Sequence, residues 1–241
     1  MSRIIILQHI DREGPGLFAK IAIERNKSLI LYRLDLGDPI PILLDTDLLI
    51  VMGGPMGICD INNPSYPWLK KEIQLLKLAL KKQIRVIGVC LGAQLLAYAA
   101  GGSVEPMTVG YPPKAKLEVG WGPVYFHNLK HPLNLFKDSK LDVLHWHGDR
   151  VLLPSEAELI ASSEVCKEQM FVINRFAYGL QFHVEVEEYM ALQWIREDKE
   201  FAHKAIGSNA SSFLLKQQAK FGKETLCDRI KFINKIYDLL I

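Results

Sequence analysis

Cysteine is scarce in this chain of 241 residues, and long apolar runs are missing near its start. The four cysteines (Cys59, Cys90, Cys166 and Cys227) are scattered, with no C-x-x-C pair. That spacing argues against a disulfide framework or a zinc knuckle and fits a reducing, cytoplasmic setting. The opening "MSRIIILQHIDREG" holds an apolar run of only four residues before Gln8. This is too short for a signal peptide or a bilayer span, so no membrane partner is expected. Charge of one sign is lacking too: 29 basic and 27 acidic residues leave a net charge of +2. Such a balance gives no reason to expect nucleic acid or an anionic surface as partner. No low-complexity linker, internal repeat or Pro-rich hinge interrupts the chain. A single domain over 1–241 is expected, with a core of about 3–196 and a C-terminal helical extension of about 197–241.

What is present alternates. "RIIIL", "LILYRL", "DLLIVM" and "RVIGV" are short Ile/Leu/Val runs of the kind that form strands buried on both faces. Between the first two lies "GPGLFAKIAIERN". Between the last two lies "YPWLKKEIQLLKLALKK", with apolar residues at 69, 73, 76 and 80 and lysines opposite, the pattern of an amphipathic helix. Strand and helix in turn imply right-handed βαβ units in a parallel sheet. From 103 to 182, short runs ("GPVYF", "LDVLHW", "AELIASS", "MFVINRF", "YGLQFHVE") predict antiparallel strands added to that sheet. From Glu187 the pattern is helical. The fold class expected is α/β, with a mostly parallel central sheet, helices on both faces, added antiparallel strands and C-terminal helices.

The stretch "RVIGVCLGAQLLAYAAGG" (85–102) sets Cys90 between Gly88 and Gly92, where a strand gives way to a helix. A cysteine is by default a small buried filler. At a strand-to-helix turn, however, it stands above the carboxyl edge of the sheet, where α/β folds bind ligands. Flanking glycines permit the tight backbone, and the helix N-terminus favours negative charge on sulfur. The pattern is a nucleophile elbow with sulfur in place of oxygen.

A thiolate nucleophile needs a base and a group to orient it. In "GLQFHVEVEE", His183 and Glu185 are two apart at the end of a strand-like run, so their side chains share a face. The carboxylate can hold one imidazole nitrogen while the other faces the sulfur. An H-x-E pair also occurs in zinc deaminases, but the downstream P-C-x-x-C is missing. A third segment, "DLLIVMGGPMG", ends a strand in Gly53-Gly54-Pro55. It is no Walker loop, because the G-K-[ST] ending is missing. If the third and fourth strands are neighbours, the N–H groups of Gly54 and Leu91 are in place to form an oxyanion hole. His145 and His147 in "HWH" alternate on one strand, but no third ligand is expected nearby, so no metal site is expected. Cys59 is expected to be a packing residue.

"GGPMG", "GVCLGAQLLA" and "GLQFHVE", in this order, resemble the three signature segments of the class I glutamine amidotransferases. "HWHGDRVLLPSEAELIASS" is similar to their GMP-synthase-like, stand-alone branch. The resemblance runs from about Ile4 to Trp194 and implies a flavodoxin-like fold. It also implies Cys90 as nucleophile, His183 as base, Glu185 as orienting acid, and Gly54 and Leu91 as oxyanion donors. Gln94 and the Trp146-His147-Gly148 segment would line the glutamine site. The proline usual between the catalytic His and Glu is Val184 here. No ATP-binding Gly-rich motif appears, so a complete GMP synthase is not expected.

The implied reaction is hydrolysis of the γ-amide of glutamine through a γ-glutamyl thioester, needing neither metal nor organic cofactor. Three alternatives stand beside it. One is a γ-glutamyl peptidase acting on glutathione-like compounds. Another is a non-catalytic regulatory subunit with the same fold. The third is an α/β-hydrolase with a cysteine elbow, disfavoured because Glu185 follows His183. A separate ammonia-accepting synthetase subunit is a possible partner. Its docking region would be "VEPMTVGYPPKAKLEVGWGP", where Met107, Tyr111 and two prolines are poor choices for a solvated loop.

Overall fold

The computed structural model describes residues 3–241. Its parallel strands are β1 (Arg3–Gln8), β2 (Ser28–Arg33), β3 (Leu48–Val51) and β4 (Arg85–Val89), with α1 (Gly16–Glu24), α2 (Leu69–Lys81) and α3 (Leu91–Ala99) as crossovers. Next come β5 (Ser103–Pro106), a small hairpin of β6 (Thr108–Val109) and β7 (Lys114–Ala115), then the longer β8 (Glu118–Phe126) and β9 (Lys140–His147). The remaining strands are β10 (Asp149–Leu152), β11 (Ala157–Ser162), β12 (Met170–Ile173) and β13 (Ala177–Leu180). Helices α4 (Glu188–Glu197), α5 (Lys199–Ile206), α6 (Ala210–Glu224) and α7 (Leu226–Leu240) complete the described chain. The main sheet has nine strands in the order β2-β1-β3-β4-β13-β12-β11-β8-β9, while β5 and β10 pair separately.

The expected α/β architecture is therefore present, with two differences of detail. β13 lies within "FAYGLQ" and is parallel to β4 while antiparallel to β12, so it joins the two halves of the sheet. It is not simply one more added antiparallel strand. β2 is the sheet edge and is half-exposed. An edge strand has a neighbour on one side only, so the "LILYRL" run is less buried than its composition suggested. The two long helical stretches break at Asp198 and Thr225, giving four helices.

Strand alternation divides the core. Ile4, Ile6, Leu48, Ile50, Ile87 and Val89 face α1 and α7, whereas Ile5, Leu7, Leu49, Val51 and Val86 face α2 and α3. Beyond β13, Trp121, Leu144, Trp146, Met190 and Trp194 form a third apolar cluster with α4, α5 and α6. α7 is not peripheral: Phe232, Ile233, Ile236 and Tyr237 are fully buried in the same cluster as β1, β3 and β4.

Candidate active site

Cys90 sits between the last residue of β4 and the first of α3, with φ 51° and ψ −106°. A positive φ is unfavourable for a side-chain-bearing residue and is held only where the surroundings over-determine it. Here the Cys90 N–H donates to the Leu180 carbonyl at 2.7 Å, tying the elbow to the end of β13. The flanking glycines meet a packing demand. A Cβ on Gly88 would collide with the Gly92 backbone, and one on Gly92 with the Val51 carbonyl. Bare backbone is what lets α3 start directly against β3 and β4. The Leu91 N–H, first in α3, has no intrahelical acceptor. Gly54 follows the end of β3, so close that a Cβ there would lie 3.1 Å from Leu91 Cδ2. β3 and β4 do pair, in parallel, as that juxtaposition requires.

Past Leu180 the chain leaves the sheet, and His183 is held by reciprocal backbone bonds with Leu144 (2.9 and 3.2 Å). Glu185 Oε1 lies 2.7 Å from His183 Nδ1, with both side chains buried. The shared face expected from spacing is found, although on a bridge-stabilised segment and not inside a strand. Among the described residues, Nε2 of His183 has no hydrogen-bond partner. The ring stands edge-on to Trp194, centroids 4.7 Å apart. Burial opposes a charge on His183, but the Glu185 carboxylate and the Cys90 sulfur outweigh it and raise its basicity well above that of free imidazole. The segment is clamped from two sides. Leu17 N–H donates to the Glu185 carbonyl at 2.8 Å, and the buried Arg229 of α7 donates to the carbonyls of Val184 (3.1 Å) and Val186 (2.6 Å). Val184 is packed in the main core.

A cavity of about 450 Å³ gathers Cys90, Gly54, Leu91, Gln94, Trp146, His147 and Gly148 on its walls. Gln94 Nε2 donates to Gln181 Oε1 at 3.3 Å, and Gln181 Nε2 lies 3.7 Å from Cys90 Sγ. Trp146 donates from Nε1 to Asp198 at 2.9 Å, and its carbonyl is 3.9 Å from Cys90 Sγ. α5 roofs the cavity with Glu200, Phe201 and Lys204.

Several site residues escaped the sequence reading. Glu13 lines the cavity beside His183; burial raises its carboxyl, while His183 and Arg12 oppose that rise. Its signal was a polar, Gly-containing turn at the carboxyl end of β1, a ligand-binding position in parallel sheets. His9 joins the Gly53 carbonyl (3.0 Å) to the fully buried Glu72 of α2 (2.9 Å), bracing the glycine turn. No local pattern announces that pair.

Three expectations are corrected. Cys59 is exposed, because it sits on a short 3-10 turn outside the core. Met107 is buried and lines the cavity, so of the docking-loop residues named it is Tyr111, almost fully exposed, and the two prolines after it that are free. A third ligand, the acidic Glu118, does stand beside His145 and His147: strand pairing of β8 with β9 brings it to them. His147 lines the cavity as expected, but His145 makes no hydrogen bond from either ring nitrogen. Burial pushes His145 down to about 4, against the pull of Glu118.

A largely parallel sheet flanked by helices, with a cysteine elbow on a cavity wall and a buried His183–Glu185 pair close by, defines an α/β domain of the flavodoxin-like class. Residues 10–192 match the family model for class I glutamine amidotransferases, and the chain belongs to that family. A glutamine amidotransferase-like protein of Salmonella typhimurium, YfeJ, is 32% identical over 189 residues, covering 76% of this chain and 75% of that one. The glutamine-hydrolysing GMP synthase of Edwardsiella ictaluri is 33% identical over 144 residues, which is 57% of this chain but a quarter (25%) of that enzyme. The crystal structure of a glutamine amidotransferase from Thermotoga maritima superposes with a TM-score of 0.83 at 30% identity, covering 98% of this chain and 96% of that one. No described helix is long and apolar enough to cross a membrane.

Proposed function

We propose that the protein hydrolyses γ-glutamyl amides, glutamine first among them, with Cys90 as nucleophile, His183 as proton carrier and Glu185 as its orienting acid. The observation that carries this is the 2.7 Å His183–Glu185 pair, whose free Nε2 lies on the same side as the elbow cysteine. In this reading Cys90 sulfur attacks the γ-carbonyl carbon, and the N–H groups of Gly54 and Leu91 hold the oxyanion. One such donor is worth roughly 3–4 kcal/mol of barrier. His183 passes its proton to the departing ammonia, leaving a γ-glutamyl thioester. It then takes a proton from water, whose oxygen attacks the thioester and releases glutamate and free Cys90. A glutamine-derived electrophile should label Cys90 once and abolish turnover. Labelling only at the exposed Cys59 or Cys227 would reject the assignment.

A second reading, a γ-glutamyl peptide as substrate, is favoured by the cavity itself. At about 450 Å³ it falls in the range that holds drug-sized ligands, and Arg12, Asp198, Glu200 and Lys204 supply charges at its mouth. Comparing glutamine with glutathione in steady state separates the two. Poor turnover of both would favour a missing ammonia-accepting subunit, for which Tyr111 is the exposed contact.

A further inference from the structure

We propose that Glu118, His145 and His147 form a binding site for a divalent transition-metal ion of the Zn²⁺ type, behind the wall of the Cys90 cavity to which His147 also belongs. Their ligand atoms lie within 4.8 Å of one another, at the end of the β8–β9 pair. His147 Nδ1 is 2.9 Å from the Asp149 carbonyl, which can only accept. Nδ1 therefore carries a proton, and Nε2 lies 3.1 Å from Glu118 Oε2, where either a second proton or a cation can join the two. His145 Nδ1 faces the other carboxylate oxygen, Oε1, at 3.6 Å, too far for a hydrogen bond. Both nitrogens of His145 are buried without a partner.

Two imidazoles thus point at one carboxylate, and the buried, unpartnered nitrogens of His145 are what a cation would satisfy. Zinc bonds of about 2.0–2.2 Å to nitrogen and oxygen put neighbouring ligand atoms of a tetrahedron about 3.4 Å apart. The nitrogen–carboxylate distances, 3.1 Å from His147 to Oε2 and 3.6 Å from His145 to Oε1, lie close to that spacing. The surroundings fit as well. The Nδ1–H···O=C bond of His147 is the usual support of a metal-bound imidazole. Gln169 Nε2 fixes Glu118 Oε2 at 2.6 Å, although it also lies 3.2 Å from His147 Nε2. A second cavity, of about 350 Å³, opens onto Glu118 and His145 beside Ser163, Glu164 and Val165 and provides an entry path. It shares no wall residue with the catalytic cavity. A bound ion would lock β8 to β9 on either side of Trp146, whose carbonyl lies near Cys90 Sγ.

The test uses chelator-stripped full-length protein in a Cys90→Ala background, so that the elbow thiol cannot capture metal. Titration with Zn²⁺ should give one equivalent bound, and Co²⁺ should give the visible bands of a tetrahedral nitrogen/oxygen site. Adding His145→Gln should weaken Zn²⁺ binding by at least about tenfold, the lower end of what losing even an outer partner costs. Glu118→Gln should do the same, and stands in where the His145 variant fails by circular dichroism to fold. No binding by the Cys90→Ala protein would overturn the site, leaving His147 and Glu118 as a closed ion pair. So would Zn²⁺ affinity unchanged by a folded substitution at His145 or Glu118.

Discussion

Cys90 is held at a positive φ by its bond to Leu180, and His183 is held by Leu144 and Glu185. If Glu185 orients and stabilises an imidazolium without itself exchanging a proton, its loss should hurt less than loss of the base. Glu185→Gln is expected to lower kcat one to two orders of magnitude less than His183→Ala does. Equal losses in two variants with native circular dichroism would give Glu185 a larger part. Glu13 offers a test of opposite sign. Its folded-state carboxyl is raised by burial, so the folded state binds the proton more tightly than the unfolded one. Stability is then lost as the pH rises through the raised value. Glu13→Gln should melt above the wild type in mildly alkaline buffer, and the gap should close in acid. A gap that widens in acid would mean that the Arg12 and His183 charges, not burial, dominate Glu13.

At the scale of elements, the segment that carries His183 and Glu185 belongs to no strand or helix and is shaped by its neighbours. Arg229 of α7 donates to the carbonyls of Val184, Val186 and Gly222, and Thr225 receives its Nε–H. Its guanidinium also lies over the Trp121 ring, 4.9 Å from the centroid. Burial lowers Arg229 to about 10, against the nearby Glu185 and Glu187, which leaves it charged at neutral pH. Arg229→Ala strands those carbonyls and opens a void beside Glu185. A cost of about 3–5 kcal/mol is expected, on the scale of removing one partner from a buried charged network. Thermal melting should show it, with kcat falling more than KM rises, because the His183–Glu185 geometry loosens. An Arg229→Ala protein with native melting and kcat would make the clamp incidental.

For the whole molecule the matter is whether the C-terminal helices are an appendage. α7 buries Phe232, Ile233, Ile236, Tyr237 and Leu240 against the face of the sheet that also carries α1. At about 1.5–3 kcal/mol per large apolar side chain, that is on the order of 10 kcal/mol. The sum is comparable to the roughly 5–15 kcal/mol stability of an entire domain. A chain ending at residue 225 is therefore expected to be insoluble or molten, with no cooperative melting transition. Cooperative unfolding of that truncated chain would show α7 to be dispensable.

The alternating apolar runs and the Gly-x-Cys-x-Gly elbow made the parallel sheet and the position of Cys90 legible in the sequence. Those features are local, set by the two-residue period of strands and by the lack of room for a Cβ at positions 88 and 92. The His183–Glu185 pair was legible for the same reason, since side chains two residues apart in extended backbone share a face, although the bridge to Leu144 and the Arg229 clamp hold that backbone in place. What only the tertiary structure decided are the long-range meetings: His9 with Glu72, Glu118 with His145 and His147, and Arg229 with Val184 and Val186. Each joins segments brought together by sheet order or helix packing. No periodicity in one segment encodes which buried polar group another will present, because that is fixed only when the whole core closes around both.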